Sequence, residues 1–164
     1  MYFENFPSIL YDFNINGETQ VKLITDVTRN IRFRRDVLAN VTVFDEYDMQ
    51  DGETPEIVAE AIYGNAEYHW IIMLANERFD YRSDFPLAYV ELSKYVTDKY
   101  GAGNEDDTHH YIDANGFIVN SDALNATPVS NRQYEEAENE KKRRIKIIPS
   151  TVIDTILKNF KDQM

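Results

Sequence analysis

Polar and apolar residues alternate on both sides of Asn16-Gly17, with Tyr11, Phe13 and Ile15 before it and Thr19, Val21 and Leu23 after it. A period of two marks a strand, and Asn-Gly between two such runs marks a hairpin. Two registers compete. A two-residue turn at Asn16-Gly17 pairs Phe13 with Gln20 and sends the two apolar sets to opposite faces. A three-residue loop, Ile15-Asn16-Gly17, pairs Phe13 with Thr19 and Tyr11 with Val21, and puts Gly17 at the left-handed position. The second gathers the apolar residues on one face and is the register expected. From about Asp26 to Asn40, Val27, Ile31, Val37 and Leu38 suggest a short helix or an irregular segment.

The pattern then changes period. Val41, Val43 and Tyr47 predict a strand over 41–48, ended by the turn signal Asp51-Gly52. Thr54 can cap a helix with Pro55 at its first position, where the missing N–H costs nothing, and Glu56 in its first turn. Ile57, Val58, Ala61 and Ile62 make one apolar stripe, and Gly64 is a natural stop. Asn65 can cap a second helix, Tyr68 to Ala75, which is apolar nearly all round and so expected to be buried on most sides. Asn76 ends it.

A further helix fits 86–100, with Ala88, Leu92, Tyr95, Val96 and Tyr100 on one side and Gly101 after it. Residues 102–132 are rich in Gly, Asn, Asp and Thr, interrupted by Tyr111-Ile112 and Phe117-Ile118-Val119 around Asn115-Gly116. These features predict a surface hairpin at 108–120. Pro128 leads into a helix over Tyr134 to Lys142 with Glu138–Lys142 and Glu140–Arg144 at i,i+4 spacing. Ile145 to Ile148 reads as a short strand closed by Pro149. Ser150 is the expected cap of a last amphipathic helix carrying Val152, Ile153, Ile156, Leu157 and Phe160.

Composition narrows the function classes. The 164 residues are 43% apolar, enough for a core, and 13% aromatic, a proportion that suits packed interfaces as well as interiors. A net charge of −12 disfavours non-specific binding to nucleic acid or an anionic membrane. Two basic clusters stand out against it. One holds Arg29, Arg32, Arg34 and Arg35, the other Lys141, Lys142, Arg143, Arg144 and Lys146. The absence of cysteine rules out disulfides, thiolate metal sites and cysteine nucleophiles. No apolar run is long enough for a membrane span, and the first residues lack the pattern of a signal peptide.

The segment Asp51-Gly52-Glu53-Thr54-Pro55-Glu56-Ile57-Val58-Ala59-Glu60-Ala61-Ile62-Tyr63-Gly64-Asn65, followed by Tyr68-His69-Trp70 and Leu74-Ala75-Asn76, resembles the LysM motif. There a Gly-Asp/Glu-Thr turn opens the first helix, Tyr-Gly closes it and Asn follows the second. It resembles more specifically the baseplate wedge subunit family of T4-like contractile-tailed phages (the gene fifty-three product), whose LysM-like core carries the Tyr-Gly-Asn and aromatic-Trp version. The basic stretch from Asn139 to Ile148 is similar to that family's C-terminal segment. The resemblance implies an α+β fold in which a LysM-like two-helix core lies on a small antiparallel sheet pairing 41–48 with 144–148. To this core it adds an N-terminal hairpin arm, an inserted hairpin excursion and a C-terminal helix. The expected organisation is an arm over 1–40 and a core over 41–164 with an insertion at 77–143, too long for a free-standing LysM module.

It also implies a role. The expected protein is a structural, non-enzymatic subunit of the virion tail baseplate, made in the host cytoplasm and needing no cofactor. Other wedge subunits are its expected partners in a hetero-oligomeric assembly, with the sheath initiator and hub as further candidates. Tyr63, Tyr68, His69, Trp70 and Ile147 are the expected core or interface residues. Arg32, Arg34 and Arg35, with Lys142, Arg143 and Arg144, are the expected basic docking patches. The alternative implied by LysM is a glycan groove, carried over to Gly52, Glu53 and Thr54 with Asn76, Glu77, Arg78 and Phe79. Gly52 and Thr54 are equally explained as turn and cap, and Asn76 as a helix stop.

No catalytic constellation is legible. His109 and His110 lie near Asp106, Asp107 and Asp113. Neighbours on an extended strand point to opposite faces, however, which makes the two poor ligands for one metal ion. His69 has no nucleophile motif beside it, the carboxylates form no recognisable acid/base pair, and the glycines are scattered singly rather than grouped to cradle phosphate.

Overall fold

The computed structural model describes residues 6–28 and 44–162. Most of the segment near 26–40 expected as a short helix or irregular stretch, the strand residues Val41 and Val43, the boundary at residue 40, and Arg32, Arg34 and Arg35 fall outside these residues. In chain order the elements are β1 (Ser8–Ile15), β2 (Glu18–Thr25), β3 (Asp45–Asp48), α1 (Pro55–Tyr63), a 3-10 turn (Ala66–Tyr68) and α2 (His69–Ala75). After them come α3 (Tyr89–Tyr100), β4 (Thr108–Ile112), β5 (Ile118–Val119), β6 (Thr127–Ser130), α4 (Asn131–Glu140), β7 (Arg144–Ile147), a second 3-10 turn (Ser150–Val152) and α5 (Ile153–Asp162). The fold is α+β. Among the described residues the strands form three small sheets, ordered β1-β2, β3-β7 and β5-β4-β6. The chain divides into two compact units, neither of them continuous in sequence. The first comprises 1–46, 55–77 and 146–164, the second 47–54 and 78–145.

In the first unit, β1 and β2 form an antiparallel hairpin whose register corrects the sequence-based expectation. Phe13 faces Gln20, Asn14 faces Thr19 and Ile15 faces Glu18, so the turn is the two-residue one at Asn16-Gly17. Both turn residues have positive φ, 56° at Asn16 and 85° at Gly17. That is the turn class whose twist matches a right-handed ribbon, and Asn and Gly are the residues that tolerate it. The one-sided register would have been enforced by a buried face. Most of this ribbon is exposed, so turn chemistry decides instead.

The same unit holds an apolar core built from distant segments. Phe6, Trp70, Ile71, Leu74, Ala75, Ile148, Ile153 and Ile156 are buried together, with Phe44, Tyr63, Tyr68, Val152 and Leu157 packed around them. α2 supplies the largest share, as its all-round apolar sequence requires. α1 starts at Pro55 and ends before Gly64, whose φ of 69° and N–H bond to the Glu60 carbonyl make it the expected stop. Its buried residues are Pro55, Val58 and Ala59, whereas Ile57 is half exposed and Ala61 exposed, so the stripe is rotated from the one expected. Asn65 does cap, accepting the Glu67 N–H at 2.9 Å, but the chain makes a 3-10 turn before α2 begins. Ser150 is not the expected cap. It lies inside a 3-10 turn entered from Pro149, and α5 begins at Ile153.

In the second unit α3 and α4 lie beside the three-stranded sheet. α3 begins at Tyr89 rather than 86, because Leu87 is held on both backbone groups by Asn139, its N–H to Oδ1 at 2.8 Å and its carbonyl to Nδ2 at 3.0 Å. The first N–H of α3, that of Tyr89, donates to the Asp51 carboxylate at 3.0 Å, a cap delivered from far away in sequence. α4 opens with a capping box, Ser130 to Gln133, and so starts before the expected Tyr134. α4 ends at Glu140, and two charge pairs form at i,i+3. Glu138 pairs with Lys141, and Glu140 with Arg143. β6, pairing with β4, has no counterpart in the sequence-based reading.

Candidate functional site

The segment 51–76, expected from its resemblance to LysM to carry either a docking fold or a sugar groove, contains polar residues whose present bonds are specific. Asn76 follows α2 and spends its whole amide on backbone. Nδ2 donates to the Ile72 and Lys146 carbonyls at 2.8 Å each, and Oδ1 accepts the Lys146 N–H at 2.7 Å. The side chain thereby pairs with a residue of β7 as a neighbouring strand would. Gly52 sits in the turn after β3 with φ of 78°. The Glu53 carboxylate accepts the Tyr47 hydroxyl at 2.9 Å and the Gln50 N–H at 2.7 Å. Burial, then the Glu53 bond, raises the Tyr47 pKa. Thr54 directly precedes α1.

Arg78 is a brace that the sequence did not reveal. Its guanidinium donates to the carbonyls of Lys142 at 2.6 Å and Arg144 at 3.2 Å, and lies 5.4 Å from the centre of the Phe85 ring. Partial burial lowers its pKa, with Asp84 opposing the shift. The basic stretch expected to dock is itself engaged within the second unit. Arg143 reaches the Glu140 carboxylate at 2.7 Å, the Met49 carbonyl at 3.0 Å and Asp51 at 3.6 Å, and Arg144 reaches Asp48 at 3.2 Å. The Lys142 side chain is half buried. The Arg143 side chain is largely buried by these contacts, whereas the Arg144 side chain stays 66% exposed.

The expected core residues are placed within the first unit. Trp70 is 7% exposed and Ile147 3%. Tyr68 and Tyr63 pack on the core, and the half-buried His69 hydrogen-bonds the Ala66 carbonyl through Nδ1 at 3.0 Å, so that nitrogen carries the proton. The Tyr63 hydroxyl is buried with no hydrogen-bond partner. Burial pushes its pKa up to about 12, and the nearby Ile148 backbone only partly offsets this without reaching ordinary hydrogen-bond geometry.

The histidine pair needs a correction. β4 shifts register against β6 between Thr108 and His110, so His109 is an extra residue in a bulge. A bulge re-aims its residue, and the two rings converge instead of diverging, Nδ1 to Nδ1 at 2.8 Å. His109 also stacks on Tyr134 with ring centres 4.0 Å apart. Among the described residues no group of three or more His, Asp or Glu is arranged to hold a metal ion. Beside this pair lies a buried carboxylate, Glu135, bonded by Lys99 and the Tyr100 hydroxyl at 2.7 Å each. Burial alone would raise its pKa, but the two hydrogen bonds outweigh that and hold it below the ordinary value. Lys99 is raised by the same bond. The Lys99 side chain is 43% exposed and that of Glu135 only 8%.

Residues 1–123 match the family model of base plate wedge protein 53, a phage family. The chain belongs to that family. It is therefore a structural protein of the phage tail baseplate, a place that implies assembly with other baseplate subunits. The match ends before α4 and β7, so the basic stretch at 139–148 lies beyond it. No curated protein matches the chain. No helix among the described residues is long and apolar enough to cross a membrane.

Proposed function

We propose that this chain is a non-enzymatic docking subunit of the baseplate wedge, joining neighbouring wedge subunits, with the sheath initiator and hub as further partners. One observation carries the reading. Large apolar side chains stand exposed on elements of both units, including Leu10, Val21 and Leu23 on the first hairpin, Tyr89 and Val90 on α3, and Phe117, Ile118 and Leu124 around β5. Exposed apolar surface of this kind is what interfaces bury. The polar residues assigned to a glycan groove weigh the other way. Asn76, Glu53 and Arg78 are engaged in framework bonds, which leaves little to read a sugar.

The test is assembly. Purified protein mixed with the other wedge subunits of the same phage is expected to enter a larger complex by light scattering, while chitin oligomers and muropeptides give no heat. A micromolar sugar isotherm, with the protein left out of the complex, would reverse the reading.

A further inference from the structure

The hairpin β1-β2 distributes its apolar residues in a way that no single supporting surface would need. Residues paired across the ribbon share a face. Leu10 pairs with Leu23, and Asp12 with Val21, so Leu10, Val21 and Leu23 lie together on one face, exposed by 73%, 58% and 68%. Tyr11, Phe13 and Ile15 lie on the other, where Tyr11 and Phe13 meet edge to face with ring centres 4.9 Å apart. Tyr11 and Ile15 are 51% and 42% exposed. Among the described residues neither outer edge of the ribbon is paired. The strands run for about 27 Å, and a two-stranded ribbon is at best marginally stable in water by itself.

We propose that this ribbon is an insertion arm, received between two apolar walls of a cleft on a different baseplate subunit. The proposal rests on the docking role argued above and names the element that performs it. Two apolar faces require two walls. A second copy meeting it face to face through a two-fold axis would cover one face and leave the other in water. Two chains of net charge −12 also repel each other. The ribbon's own charges include Asp12 and Glu18 against Lys22, so the rim that receives it is basic.

The experiment uses full-length protein and wedge precursors assembled from all other wedge subunits of the same phage. Leu10→Thr with Leu23→Thr removes one face, Tyr11→Thr with Ile15→Thr the other. All four positions are exposed and Thr keeps strand propensity, so the thermal midpoint of the free protein is expected to stay within a few degrees. Each pair is expected to weaken association at least tenfold, and raising salt is expected to slow it. Association undiminished in both pairs, with wild type binding, overturns the arm while leaving the docking role. Loss in only one pair makes the ribbon lie on a flat surface and overturns the cleft. Failure of wild type to associate overturns the docking role and the arm together, and a wild-type dimer in isolation overturns the choice of partner.

Discussion

Tyr63 illustrates how one atom can act against a fold that is otherwise well satisfied. Its ring packs on the core of the first unit, but its hydroxyl is buried without a partner, a cost of roughly 1–3 kcal/mol. Tyr63→Phe should therefore raise stability at neutral pH by about 1 kcal/mol in urea denaturation. The pH dependence has a definite sign. The folded-state pKa is raised by burial from its ordinary value of 10.0 to about 12, so the unfolded chain releases this proton first, and stability is unaffected below pH 10 and falls as pH climbs from 10 to about 12. Wild type minus variant should show this alkaline loss, and parallel curves would mean that the hydroxyl reaches water. Trp70 behaves in the opposite way. It is 7% exposed in the same core, and Trp70→Ala should cost about 3–5 kcal/mol through lost burial and a cavity. A loss below about 1 kcal/mol would make it a surface anchor.

At the scale of elements, α3 and α4 are joined by a charged contact inside the second unit. Glu135 has a folded pKa below its ordinary value of 4.5, so its contribution is present above that value and is lost as pH falls through the folded one. Lys99 has a raised pKa, so its share is present below 10.5 and lost only at higher pH. Glu135→Gln should remove the acid limb below about pH 4.5. At pH 7 it should cost roughly 1 kcal/mol, the usual value of a charged hydrogen bond discounted for the exposed lysine. Denaturation from pH 3 to 7 checks it, and an unchanged acid limb would assign that limb to other carboxylates. The capping box at Ser130 was readable as Ser-x-x-Gln, but the Asp51 cap on Tyr89 was not, since no local spacing connects them.

Over the whole molecule, C-terminal residues complete the core that holds α2. Ile148, Ile153 and Ile156 are buried with Trp70, Ile71 and Leu74, and Asn76 is bonded to Lys146 on both backbone groups. Ending the chain at Arg144 should therefore expose residues 55–75 to amide exchange although none of them is removed. Strong protection in that shortened chain would show that the core forms without its last segment.

Local chemistry in the sequence was enough to give Pro55 as a helix start, Gly64 as a stop, Asn65 as a cap, the buried α2 and the hairpin at Asn16-Gly17. Each depends on neighbours within a few residues. The Tyr-Gly-Asn and aromatic-Trp motif also led to the family. Tertiary structure decided what depends on distant partners or on exposure. The hairpin register followed from its turn because no buried face opposed it. The bulge at His109 turned two diverging rings into a touching pair. Residues that read as ligands or docking charges, Asn76, Arg78 and Arg143, became braces because backbone carbonyls far away in sequence came within reach of their donors.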